Sequence, residues 1–149
     1  MAATMTMPSL ALCALLLPGI AGCAGTGEPV GGPRQREAVG GSLEGLKQGL
    51  QAGTWSCVER FFSPDFRTGY GELRDRLERR FRDERLIDLQ FIVNRVLELD
   101  GLVNAQARWR KVWVDKAGET GKTEGVSEFI LKPAGDGFRI LGINGDPLF

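Results

Sequence analysis

Residues 88–101 read DLQFIVNRVLELDG, and from Asp88 onward apolar residues alternate with polar ones. Alternation with a period of two is typical of a β-strand that buries one face. We therefore predict a long strand here, closed by a turn at Asp100-Gly101. The predicted buried face of this strand carries Leu89, Phe91, Val93, Leu97 and Leu99.

Strand-like patterns continue from this turn to the end of the chain. Residues 103–114 form a second predicted strand rich in Trp and Val, and residues 123–132 form a third after a loop at 115–122. A Gly-Asp-Gly turn at 135–137 precedes a fourth predicted strand at 138–143. Strands joined by such short turns predict a four-stranded antiparallel sheet.

Upstream of residue 88, apolar residues recur at helical spacing instead. Ser42 is suited to cap the first of three predicted helices, and the second ends at Ser63-Pro64 because proline disfavours helical geometry in the residue before it. The third runs to about Glu84. Three helices before an antiparallel sheet predict an α+β domain. The apolar faces of the helices carry Leu43, Leu46 and Leu50; Trp55, Val58, Phe61 and Phe62; and Leu73, Leu77 and Phe81.

Four segments in this order resemble a known superfamily. They are FFSPDF at 61–66, AQARW at 105–109, the strand at 125–131 and GDGFRI at 135–140. The order resembles that of the nuclear-transport-factor-two-like, or SnoaL-like, superfamily. The resemblance implies three helices packed on a curved four-stranded antiparallel sheet that forms a cone. It also implies a pocket between helices and sheet, which the superfamily uses for small-ligand binding, for isomerase or dehydratase chemistry, or for protein association.

The beginning of the chain predicts export and lipidation. An apolar run from Leu10 ends in LLPGIAGC at 16–23, which resembles the lipobox of a bacterial lipoprotein signal. We expect a signal peptide at 1–22, lipid on Cys23, a flexible Gly- and Pro-rich tether at 23–41 and one domain at 42–149. The lipid would bind the protein to a membrane of the bacterial cell envelope. Ala24, in place of an Asp, favours the outer membrane, facing the periplasm.

Composition excludes several classes of function. The chain has no histidine, which removes Ser-His-Asp and Cys-His catalysis and His-rich zinc sites, so we expect neither a metal site nor a cofactor. Nineteen basic and nineteen acidic residues balance, which argues against a nucleic-acid partner. Once Cys13 is removed and Cys23 is lipidated, Cys57 has no partner for an internal disulfide, and we interpret it as a packing thiol.

Two further patterns have plain explanations. GETGKT at 118–123 resembles the end of a phosphate-binding loop, but Lys116 stands where the first glycine is required, so we predict a hairpin loop. Seven arginines between residues 67 and 85 interleave with acidic residues, which predicts a solvated helix face with compensated charge.

Four residues are candidates for a ligand pocket. Arg95 interrupts the apolar face of the first predicted strand and could bind an anionic group, with Tyr70 and Trp109 nearby; a salt bridge to Asp65 or to another carboxylate is the alternative. The superfamily resemblance implies a second role, in which Asp65 and Tyr70 would act as carboxylate and oxyanion stabiliser. Core packing is the alternative for Trp109. No catalytic residue follows from this.

The function expected from these observations is that of a lipid-anchored envelope protein. It would bind a small apolar or amphiphilic ligand or assist an envelope partner, which makes a binding protein the favoured expectation over an enzyme. One alternative is a cofactor-free isomerase, dehydratase or hydrolase. The other is a structural module that dimerises through the exposed face of its sheet.

Overall fold

A computed structural model describes residues 31–149 and shows helices followed by a sheet. The predictions for the signal peptide, for Cys23 and for residues 24–30 of the tether lie outside the described residues. The elements are α1 (Pro33–Ala52), α2 (Trp55–Val58), a 3-10 helix (Glu59–Phe61), α3 (Tyr70–Asp83), β1 (Glu84–Leu99), β2 (Leu102–Asp115), β3 (Thr120–Ala134) and β4 (Gly137–Gly145). The strands form one antiparallel sheet in the order β1-β2-β3-β4. The predicted α+β architecture is therefore confirmed.

The core lies between the helices and one face of the sheet. On β2 the inward residues Val103, Ala105, Ala107 and Trp109 are each at most 2% exposed. Their partners on β3 are Leu131, Phe129, Ser127 and Gly125. Helix α1 contacts β1 and β4 and buries a stripe made of Val39, Leu43, Leu46 and Leu50. This inner face positions the site described below.

Strand β1 contains two bulges that change which residues face inward. Between Val93 and Arg95 the register with β2 shifts by one residue, so the side-chain alternation reverses there. Val96 is consequently fully buried, whereas Leu99 is 59% exposed. The prediction that Leu97 and Leu99 share the buried face with Leu89 is therefore wrong, because a bulge lies between them.

Helix α1 begins earlier than predicted. Its first residue is Pro33, which suits the first helical position because its ring presets the backbone angle there. Val39 is fully buried in the core, and Gly31 donates a backbone hydrogen bond to Val96 O at 2.9 Å. The expectation of a flexible tether is thus wrong for residues 33–41. Ser42 lies inside the helix, where its Oγ accepts a hydrogen bond from Phe138 N at 3.2 Å.

Close packing explains why α1 tolerates glycine. A Cβ at Gly49 would lie 2.5 Å from Cys57 O, and one at Gly45 would lie 2.7 Å from the Phe61 ring. Glycine lowers helix propensity by about 1 kcal/mol relative to alanine. Here it lets α1 approach α2 and the 3-10 helix, and tertiary contacts offset the propensity cost.

Helix α3 buries Leu73 and Leu77 and exposes its charged side. On that side Arg76 pairs with Glu72 at 3.2 Å, and Arg74 pairs with Glu78 at 2.9 Å. These pairs confirm the predicted compensation of charge along the helix. Within residues 31–149 no helix combines the length and the apolarity that a bilayer crossing requires.

Candidate functional site

The four residues predicted for a pocket lie in different places. Asp65 is at the surface, with a side chain 75% exposed and an ion pair to Lys132 at 3.7 Å. Tyr70 is half-buried at the start of α3 and packs edge-on against Trp55, with ring centroids 5.3 Å apart. Arg95 follows the second β1 bulge and is exposed, not on the inner face where the alternation predicted it.

Trp109, the fourth, is a core residue. Its Nε1 donates to Ser127 Oγ at 2.7 Å, and Ser127 Oγ donates to Asp146 O at 2.7 Å. Asp146 Oδ2 in turn accepts a hydrogen bond from Val126 N at 2.8 Å. This chain of bonds connects β2, β3 and the segment after β4, which confirms the core-packing interpretation of Trp109.

A small, mostly apolar cavity lies elsewhere in the described residues, between α1, α3, β1, β2 and the segment after β4. Its volume is about 50 Å³, which exceeds what a single water molecule needs. Its walls are mostly apolar and contain three charged side chains, and none of the four predicted pocket residues lines it. The lining residues are Leu50, Leu77, Arg80, Phe81, Glu84, Leu86, Leu89, Lys111, Trp113, Leu148 and Phe149.

Lys111 is the unusual residue of this cavity. It is only 6% exposed, because it follows Trp109 on the inward phase of β2 and lies opposite Leu89 of β1. Its Nζ donates a hydrogen bond to Leu148 O at 2.8 Å. Nζ also lies 5.2 Å from the Trp113 ring centroid. A buried ammonium in such surroundings is costly unless it is well solvated by protein or ligand groups.

Burial changes the protonation of this amine. It lowers the pKa of Lys111 from 10.5 to about 8, Arg80 adds to the lowering through charge repulsion, and Glu84 offsets part of it. Arg80 and Glu84 themselves pair at 3.1 Å, with side chains 37% and 30% exposed, so the cavity reaches solvent beside them. Lys111 can therefore act as a cationic donor to an anion or, in its minor form near neutral pH, as a free amine.

Sequence reasoning did not single out Lys111. The sequence does contain a pattern that points to Lys111. The inward-facing positions of the second predicted strand are occupied by Val103, Ala105, Ala107 and Trp109, and Lys111 is the next residue in this alternation. A lysine among the inward-facing apolar positions of a strand is a candidate buried cation. The cavity itself could not be predicted locally, since Leu148 and Phe149 close it from the end of the chain.

Two lesser predictions concern residues outside this cavity. GETGKT leads from the β2–β3 turn directly into β3, where Asp115 Oδ1 accepts hydrogen bonds from Ala117 N and Glu119 N at 2.8 and 2.9 Å. The predicted hairpin loop is thus confirmed. Cys57 is half-buried on α2, and its role as a packing thiol stays a prediction.

Comparison with known proteins shows that this chain is similar to solved structures in its fold. No family model matches the chain, and no curated protein matches it. Among solved structures, a nuclear transport factor 2 (NTF2)-like superfamily protein from Salmonella enterica serovar Typhimurium is similar, with a TM-score of 0.60, 12% identity and coverage of 76% of this chain and 89% of that one.

Two further solved structures agree. A ketosteroid isomerase-like protein from Erwinia carotovora has a TM-score of 0.59 at 12% identity, covering 72% of this chain and 91% of that one. An NTF2-like protein of unknown function from Shewanella oneidensis has a TM-score of 0.57 at 12% identity, and the match covers 75% of this chain and 98% of that one. At such identities the likeness establishes the fold alone, which is NTF2-like.

Proposed function

We propose that this NTF2-like domain binds a small anionic amphiphile, with the anionic group on Lys111 and the apolar part against the leucine and aromatic walls of the cavity. The observation that carries the proposal is a lysine 6% exposed in an apolar cavity, whose ammonium has three donors and uses one on Leu148 O. A carboxylate would accept the remaining donors and offset the buried charge.

Size limits the class of ligand. Pockets for drug-sized molecules measure roughly 300–1,000 Å³, whereas this cavity has about 50 Å³. A short-chain carboxylate of a few heavy atoms suits it, with the alkyl chain beside Leu77, Leu86 and Leu89.

The isomerase, dehydratase or hydrolase alternative is less well supported. It assigns acid–base chemistry to Asp65 and Tyr70, which would have to converge on a water-poor cavity. Asp65 is instead 75% exposed beside Lys132, and neither residue lines the cavity of Lys111.

Butyrate is the probe that tests the binding proposal. We expect it to shift the indole NMR signal of Trp113 with a Kd of about 1 mM, a strength reasonable for so few atoms. Lys111→Met keeps the apolar volume but removes the charge, and should weaken binding by about ten-fold or more. The matched control is Lys122→Met, an exposed lysine of β3. Equal shifts with butyrate and 1-butanol, or unchanged binding in Lys111→Met, would contradict the proposal.

The site would work at a membrane of the bacterial envelope, because we propose that the chain is lipidated on Cys23 within the lipobox-like stretch 16–23. Acyl chains would then hold the domain at the outer membrane, facing the periplasm. We expect the mature protein from a bacterial host to begin at Cys23 and to carry a diacyl or triacyl adduct in its intact mass. Cys23→Ser should stay unprocessed and unacylated, and recovery of unmodified soluble wild-type protein would reject this assignment.

A further inference from the structure

We propose that Lys111 is a covalent capture site, whose amine forms a reversible imine with small apolar aldehydes that enter its cavity. This inference rests on the proposed function, since it uses the same cavity and the same access beside Arg80 and Glu84. It adds a different ligand class, a carbonyl compound, and a different bond.

The geometry supplies what such a reaction needs. The Nζ of Lys111 is held by one hydrogen bond to Leu148 O and lies over the Trp113 ring, so the amine has a fixed position on the cavity wall. The walls include Leu77, Leu86 and Leu89, which favour an alkyl chain over water.

The reaction needs no cofactor. The neutral Nζ attacks the carbonyl carbon, a C–N bond forms, and the amine proton moves to the carbonyl oxygen to give a carbinolamine. The hydroxyl then leaves together with the remaining N–H proton as one water molecule, which leaves a C=N bond between Lys111 Nζ and the former aldehyde carbon. Nothing is oxidised or reduced, and water reverses both steps.

Protonation distinguishes Lys111 from an exposed lysine. With its pKa lowered by burial to about 8, about a quarter of Lys111 is neutral at pH 7.5. An exposed lysine with an ordinary pKa is neutral in about one molecule in a thousand at that pH. The lower basicity of this amine and its 6% exposure reduce this advantage, so we expect about a ten-fold net preference.

Reductive trapping tests the proposal on the purified full chain. Butanal at low concentration with sodium cyanoborohydride at pH 7.5 should convert Lys111 to a butyl-lysine, located by peptide mapping. The rate at Lys111 should exceed that at the exposed Lys116, Lys122 and Lys132 by about ten-fold. The pH profile of labelling at Lys111 should level off just above pH 8.

Variants and competition separate this inference from the binding proposal. Lys111→Arg keeps a cation in the cavity but has no amine, so labelling at that site should vanish while the other lysines react as before. Butyrate should slow labelling of Lys111 alone. If butyrate binds but Lys111 reacts no faster than Lys122, the covalent inference is overturned and the binding proposal stands. If Lys111 is labelled selectively and butyrate does not bind, the reverse holds.

Discussion

The free energy of unfolding is expected to rise by about 2–3 kcal/mol between pH 8 and pH 10.5 in the wild-type protein relative to Lys111→Met. Burial lowers the pKa of Lys111 to about 8 in the folded state, against an ordinary value of 10.5 in the unfolded chain. Between these values the unfolded chain binds more protons than the folded one, so stability increases with pH, by at most about 1.4 kcal/mol per pH unit. Only well below pH 8 are both states fully protonated, and there Lys111 contributes no slope.

Urea denaturation at several pH values measures this difference. The charged groups that line the cavity beside Lys111 are Arg80 and Glu84, and both are present in the wild type and in the variant. All other ionisable groups are common to the wild type and the variant, so the comparison isolates the contribution of Lys111. Lys122→Met serves as the control and should follow the wild-type profile. Parallel profiles for wild type and Lys111→Met would show that this amine titrates normally.

Replacing Trp109 by alanine is expected to lower the free energy of unfolding by about 3–5 kcal/mol, the usual cost of deleting a large buried aromatic side chain. Trp109 is 2% exposed, and its indole N–H is bonded to Ser127 Oγ at 2.7 Å. Ser127→Ala leaves that N–H without its acceptor in the core, which should cost about 1–3 kcal/mol. In Trp109→Phe the Ser127 hydroxyl has already lost its indole partner. The loss of stability in the double variant should therefore be smaller than the sum of the losses in Ser127→Ala and Trp109→Phe.

Chemical denaturation of these variants distinguishes a core role for Trp109 from a ligand role. The control is Trp113→Ala, which removes a half-buried tryptophan of the same strand and should cost less. A loss in Trp109→Ala no larger than in Trp113→Ala, with additive effects of Ser127→Ala and Trp109→Phe, would contradict the hydrogen-bonded core described above.

The strands were predictable because each strand buries one face, which produces an alternation of apolar and polar residues in the sequence. The helices after residue 53 were predictable for the same reason, at helical spacing. The bulge between Val93 and Arg95 was not predictable from the sequence. A single unpaired residue has no local sequence signature, yet it reverses the direction of every side chain that follows it in the strand. The start of α1 was hidden by Gly32, Gly40 and Gly41, and this part of the helix is held by the burial of Val39, a contact made only in the fold.

The candidate site was predictable only in part. Trp109 and Arg95 were chosen for residue type and phase, and the structure places one in the core and the other on the exposed side. Lys111 carried a usable signal in its inward phase, but its burial depends on Leu148, 37 residues later. A cavity assembled from such distant segments is determined by the tertiary structure, so it cannot be predicted from local sequence patterns.

The most direct test of a functional cavity at Lys111 is its own titration, followed by NMR of the lysine side-chain nitrogens with Lys111→Arg used for assignment. The cavity described here predicts that Lys111 titrates at a pKa of about 8 and that saturating butyrate raises this value, because an anion favours the protonated amine. A Lys111 that titrates near 10.5, with or without butyrate, would contradict the account.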